Sequence, residues 1–150
     1  MRFIADEMLG KLARWLRMAG FDVAYARQIS DATLLKQARE EGRLLLTRDT
    51  RLIRRIPAAE YLFISKDHLP EQVREFFLRF PELRARQEPL SRCVECNALL
   101  VAVEKEAVKD KLWPYVYKTQ EHFTTCPSCH RIYWEATHVK KIREKLGSLM

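Results

Sequence analysis

Hydrophobic positions along the chain switch between two periods. Phe3-Ile4-Ala5 is a short apolar run that stops at Asp6 and reads as a buried strand. From Met8 to Met18 the apolar residues Met8, Leu9, Leu12, Trp15 and Leu16 recur at helical spacing, with Lys11, Arg14 and Arg17 at every third position among them. That pattern predicts an amphipathic helix with a basic stripe, stopped by Gly20 in a left-handed cap. A second strand is expected over 22–26. A helix then begins at Ser30-Asp31, runs through Leu34, Leu35 and Ala38 to Glu41, and closes at Gly42. Leu44-Leu45-Leu46-Thr47 has the continuous apolar character of a strand buried on both faces; it ends at Arg48-Asp49, and a short helix is expected over 50–55. Tyr61, Leu62, Phe63 and Ile64 mark a fourth strand, and Pro70 opens a helix through Val73, Phe76, Phe77 and Phe80. Alternation of this kind predicts an α/β fold, a parallel sheet joined by right-handed crossovers with helices on both faces.

After Pro81 the pattern changes. The polar stretch 82–88, bracketed by Pro81 and Pro89, reads as a linker, dividing the chain into domains 1–88 and 89–150. In the second, 99–103 and 115–118 are expected to be strands of a small antiparallel sheet, and 138–146 a terminal helix. All four cysteines fall here, as Cys93-Val94-Glu95-Cys96 and Cys126-Pro127-Ser128-Cys129. A two-residue spacing lets one tight turn present both sulfurs to one ion, and two such turns complete a tetrahedron. Cys93, Cys96, Cys126 and Cys129 are therefore expected to hold a structural Zn²⁺ in a zinc ribbon; four thiolates leave no open position for catalysis. His122 and His130 lie close enough in sequence to be substitute ligands. A segment this short has little core, so a metal contributing roughly 10–16 kcal/mol would decide whether it folds.

The chain carries 27 Lys plus Arg against 20 Asp plus Glu, a formal charge of +7, and is 47% hydrophobic, which excludes long disorder and suits a polyanionic partner. No apolar run approaches the ~18 residues a membrane-spanning helix needs, and Asp6 and Glu7 interrupt any signal-peptide core. The expected location is the cytosol, where thiols stay reduced, and no membrane partner is expected.

Candidate chemistry sits at strand ends. Asp6 follows the first strand, Asp31 begins the helix after the second, and Asp49 follows the third. In an open parallel sheet all three face the carboxyl edge, where ligands bind. Clustered carboxylates need a cation, and a hard divalent ion, Mg²⁺ or Mn²⁺, prefers such oxygens. Asp31 and Asp49 also stand where helix N-caps stand. Asp67, Glu7, Glu40 and Glu41 are further possible ligands. Lys11, Arg14, Arg17 and Arg48 beside these acids are the cations expected to touch nucleic-acid phosphates. Tyr133, Trp134 and Trp113 are core residues or stacking platforms.

The run from Phe3 through Asp6-Glu7-Met8-Leu9-Gly10-Lys11-Leu12-Ala13-Arg14-Trp15-Leu16-Arg17 to Met18, together with Gly20-Phe21-Asp22, Ser30-Asp31, Leu44 to Asp49 and the cysteine pairs closing with Tyr133-Trp134, resembles the Mut-seven C-terminal ribonuclease family. The resemblance implies a PIN-like nuclease domain carrying a zinc ribbon, and metal-dependent RNA cleavage by Asp6, Asp31 and Asp49. Two other functions compete with it. One is a non-catalytic RNA-binding or ribosome-associated module, favoured by Arg51, which stands where PIN-like sites often carry a fourth acid. The other is a toxin-like nuclease with a dedicated protein inhibitor.

Overall fold

The computed structural model describes residues 1–135 together with residues 144, 147 and 148. Apart from Glu144, the helix expected over 138–146 lies outside the described residues. Four parallel strands, β1 (Arg2–Ala5), β2 (Asp22–Tyr25), β3 (Leu44–Thr47) and β4 (Tyr61–Phe63), form one sheet in the order β2-β1-β3-β4. Ile4 registers with Ala24 on one side and Leu45 on the other, so β1 is central.

Alternation along the central strands divides the apolar residues between two layers. Phe3, Ala5 and Leu46 join one core with α1 (Gly10–Met18) and α4 (Leu69–Arg79), in which Trp15, Phe21, Phe76, Phe77 and Phe80 pack edge-on or tilted against one another or Phe3. Ile4 and Leu45 join a second core with α2 (Asp31–Glu40) and α3 (Thr50–Ile53), through Leu34, Ala38 and Leu52. The chain leaves β1 toward β2 through α1, then returns past β1 to β3 through α2 on the opposite face. The winding therefore reverses at the β1–β3 pair, and a crevice opens at their carboxyl ends.

Glycine ends α1 as expected. Gly20 has φ +99°, its N–H donates to the Arg17 carbonyl (2.9 Å), and the Phe21 N–H donates to that of Leu16 (3.0 Å), the paired bonds of a Schellman cap. Gly42, at φ +62°, closes α2 the same way.

The expected linker is built into the fold. Residues Pro81–Arg86 form a 3₁₀ helix whose Leu83 packs into the aromatic core. Its polar sequence hid that single apolar contact. Beyond it lies a three-stranded antiparallel sheet, β5 (Val101–Val103), β6 (Phe123–Thr125) and β7 (Ile132–Trp134). Residues 115–118 are not one of its strands but part of a helix, α5 (Pro114–Thr119). Proline lacks the N–H a ladder needs and suits the first helical turn, and the extended Trp113 before it is the conformation proline imposes. The alternation of Tyr115, Val116 and Tyr117 imitates a strand, but the proline decides.

The two sheets meet at a polar seam. The backbone N–H groups of Glu88 and Leu90 donate to the carbonyls of Ala19 (2.9 Å) and Met18 (3.1 Å). Asn97 accepts from the Val23 N–H (3.0 Å) and donates to Asp22 (2.7 Å). Gly20 lies directly under the returning chain: a Cβ there would stand 2.4 Å from the Glu88 carbonyl oxygen.

Candidate functional site

Asp6 caps the short 3₁₀ turn Glu7–Leu9 and ties the ends of β1 and β3 together. Its Oδ1 accepts from the Met8 N–H (3.0 Å); its Oδ2 accepts from the Thr47 hydroxyl and the Arg48 N–H (3.0 Å). Only 8% of the residue is exposed, so this carboxylate is held in one orientation by three donors. Thr47, wholly buried, receives in turn the Asp49 N–H (3.0 Å). Asp49 caps α3, its Oδ1 accepting from the N–H groups of Arg51 (2.9 Å) and Leu52 (3.1 Å). Asp31 opens α2 but does not cap it, because the Ser30 hydroxyl accepts from Thr33 N–H instead; Asp31 pairs with Arg55 at 2.9 Å.

These three aspartates, from the ends of three successive βα connections, line one pocket of about 170 Å³ together with Glu7, Leu34 and Leu52. Its donor set is carboxylate oxygen over an apolar floor, chemistry that suits a hard divalent cation. Each carboxylate keeps lone pairs beyond the bonds described. Among the described residues only the cysteines bring their ligand atoms within 4.8 Å of one another; the aspartates stand further apart, Asp49 bound to its own helix and Asp31 to Arg55. Of the other acids considered, Glu7 lines the pocket; Asp67 is ion-paired to Arg48; Glu40 and Glu41 lie at the far end of α2, beside Lys36 and Arg43.

A larger groove of about 780 Å³ adjoins the acidic pocket and shares Glu7 and Met8 with it. Its walls are α1, the start of α4 and the first cysteine turn. Lys11 and Arg14 line it with exposed side chains. Arg14 is ion-paired with Glu95, whose carboxyl it holds below the usual range. Arg17 is buried at the seam, where its Nε donates to the Val23 carbonyl (2.8 Å) and its Nη1 to those of Val94 (3.0 Å) and Glu95 (3.1 Å). Burial pushes its pKa down, against the pull of the nearby acids and thiols. Arg48 donates to the Ser65 carbonyl (3.4 Å) and pairs with Asp67. Arg27, which the sequence pattern did not single out, also lines the groove. Only its position just after β2 pointed to it.

Two matching turns carry the cysteines. In the first, the Asn97 N–H donates to the Cys93 carbonyl (2.9 Å) with Asn97 at φ +65°; in the second, the His130 N–H donates to the Cys126 carbonyl (2.9 Å) with His130 at φ +64°. Asparagine and histidine are among the non-glycine residues that reach this left-handed region. The four Sγ atoms lie within 4.8 Å of one another, and Cys93 and Cys129 are 3.7 Å apart. A tetrahedron with zinc–sulfur bonds of about 2.3 Å requires sulfurs about 3.8 Å apart, so the four fit one Zn²⁺. The Arg131 backbone and guanidinium pull Cys129 down to about 6, and its hydrogen bond with Cys129 pushes Cys96 up to about 11. Tyr133 is half-buried in β7, and its hydroxyl lies 3.2 Å from Cys93 Sγ and accepts from the Val94 N–H. Burial pushes its pKa up. Trp134 lies half-buried in β7 opposite Phe123, and Trp113 is 80% exposed.

An open parallel α/β sheet with acids at its carboxyl edge, joined to a four-cysteine module able to hold zinc, is the class that fold and site define. Within it, the model of the Mut7-C RNAse domain family matches residues 1–146, and the chain belongs to that family. The family's description suggests a nuclease and implies an RNA substrate. No curated protein and no solved structure matches the chain.

Proposed function

We propose that the protein is a Mg²⁺- or Mn²⁺-dependent ribonuclease that hydrolyses RNA phosphodiester bonds with Asp6, Asp31 and Asp49. The observation that carries this reading is the meeting of these three aspartates in one pocket at the β1–β3 switch point, in a chain of an RNase-domain family. A divalent ion held there supplies an activated water and charge neutralisation at the phosphate. The chain's own residues do the rest. Asp6 is aimed by Met8, Thr47 and Arg48, Asp49 is fixed by its helix, and Asp31 lines the pocket from α2 while paired with Arg55. Lys11 and Arg14 position the strand by its phosphates. The expected products carry a 5′-phosphate and a 3′-hydroxyl. The zinc ribbon supports RNA binding through the seam that walls the groove.

A binding module without catalysis is the second reading, favoured by the pairing of Asp31 with Arg55 and by Arg51 in place of an acid. Cleavage of mixed single-stranded and structured RNA with added Mn²⁺ separates the two. Asp49→Asn is the cleaner probe, because an amide oxygen still caps α3. Asp6→Asn would turn an amide N–H₂ toward one of three donors and cost about 1–3 kcal/mol. Parent protein that cleaves only with Mn²⁺, and Asp49→Asn that binds but does not cleave, is the expected result. RNA left intact by both, with equal binding, gives the second reading.

A further inference from the structure

We propose that the groove between α1 and the first cysteine turn holds a single RNA strand on one side of the acidic pocket, and that Glu95 occupies the phosphate position at Arg14 until RNA displaces it. This inference rests on RNA being the ligand, and not on hydrolysis.

The groove and the acidic pocket are both lined by Glu7 and Met8, so a strand lying in the groove runs beside the carboxylates. Its exposed cations fall into two kinds. Lys11 and Arg27 have no ion-pair partner among the described residues, whereas Arg14 is held by Glu95. Unpaired cations in a recess attract polyanions, and a paired one must exchange its carboxylate for a phosphate. Glu95 is well placed for that exchange. It sits between Cys93 and Cys96, so the metal-binding turn fixes its backbone, yet its side chain is exposed and free to swing away.

The shape favours one strand. A duplex is gripped across its outer surface, over successive grooves, by an extended face. A recess of about 780 Å³ reaches the phosphates of one strand, and the exposed His68 that lines it offers a ring on which an unstacked base can sit.

The test is equilibrium binding of a short fluorescein-labelled oligouridylate to the full chain, by anisotropy across a salt series. It is done in the Asp49→Asn background without added divalent ion, so no cleavage intrudes. Lys11→Ala and Arg27→Ala should each weaken binding severalfold and lower the slope of log affinity against log salt by about 0.7. Lys36→Ala, on the opposite face, should change neither. Glu95→Gln should tighten binding about two- to fivefold, the range an exposed ion pair spans. In an Arg14→Ala background that gain should vanish, which separates competition for Arg14 from a general loss of negative charge. Circular dichroism checks that each variant is folded. Unchanged slopes for both Lys11→Ala and Arg27→Ala, an equal gain from Glu95→Gln with and without Arg14, or equal affinity for a self-complementary RNA duplex would each overturn the proposal. If the groove variants behave as stated while the parent cleaves nothing with Mn²⁺, the strand site stands and the ribonuclease reading falls; cleavage by the parent with groove variants that bind normally gives the reverse.

Discussion

Gly20 and Gly42 form a natural controlled pair. Both end a helix in the left-handed region and both make Schellman bonds, so replacing either with alanine incurs the same conformational cost, about 1–2 kcal/mol. Their surroundings differ. A Cβ at Gly42 meets only the Arg2 guanidinium at 3.7 Å, an ordinary contact. A Cβ at Gly20 meets the Glu88 carbonyl oxygen at 2.4 Å and its carbon at 2.9 Å, both backbone atoms held by the Glu88 N–H bond to Ala19. Forcing atoms into such a contact adds about 1–3 kcal/mol. Gly42→Ala should therefore cost about 1–2 kcal/mol and Gly20→Ala about 2–5 kcal/mol, read from urea denaturation followed by far-ultraviolet circular dichroism. Gly20→Ala should also weaken oligouridylate binding, because the displaced segment leads directly into the turn that walls the groove, while Gly42→Ala should not. Equal destabilisation by the two substitutions, within about 0.5 kcal/mol, would refute the close approach of the two sheets on which the groove depends.

Two more outcomes follow from the seam and the cysteine site. Partial burial pushes Asp22 up, but hydrogen bonds from Arg43 and Asn97 outweigh it and hold its pKa below the ordinary value. Its contribution is then fully present above about pH 4 and is lost as pH falls through the lowered pKa. The stability difference between parent and Asp22→Asn should accordingly shrink on acidification, and a difference that grows toward acid would contradict the assignment. Removal of zinc by a chelator should expose 89–135 to protease and also speed amide hydrogen exchange in β1 and β2; exchange there that is indifferent to the chelator would separate the two sheets energetically.

The parallel sheet was legible because its central strands, β1 and β3, are short apolar runs buried on both faces, and because glycine closes two of its helices. The cysteine turns were legible from spacing alone. The small sheet was legible only in part: the strand expected over 99–103 contains β5, but β6 and β7 have three residues each, too few for a period, and they are recognisable only as the arms of the second cysteine turn. Topology accounts for the position of Asp6 and Asp49, since a residue just past a strand end falls on the carboxyl edge; Asp31 comes to that edge at the start of α2. Their local donors were not legible, because Arg55 and Thr47 are brought to them only by the fold.

The basic stripe of α1 shows most clearly what spacing leaves open. Three residues advance a helix by about 300°, so Lys11, Arg14 and Arg17 do not form a straight line; each lies about 60° around the axis from the last. The stripe winds from the open groove at Lys11, through the ion pair at Arg14, to the buried seam at Arg17. One sequence pattern thus serves two purposes, lining the groove at one end and attaching the second sheet at the other. Arg17 also couples the metal turn to the N-terminal fold. Its guanidinium is satisfied by the carbonyls of Val94 and Glu95, which lie between the cysteines. If that turn loosens, a buried cation loses two acceptors, a change far costlier than losing a surface ion pair. With zinc on the four cysteines, the stability of the first sheet should then depend on the ion, and so should the groove wall carrying Glu95.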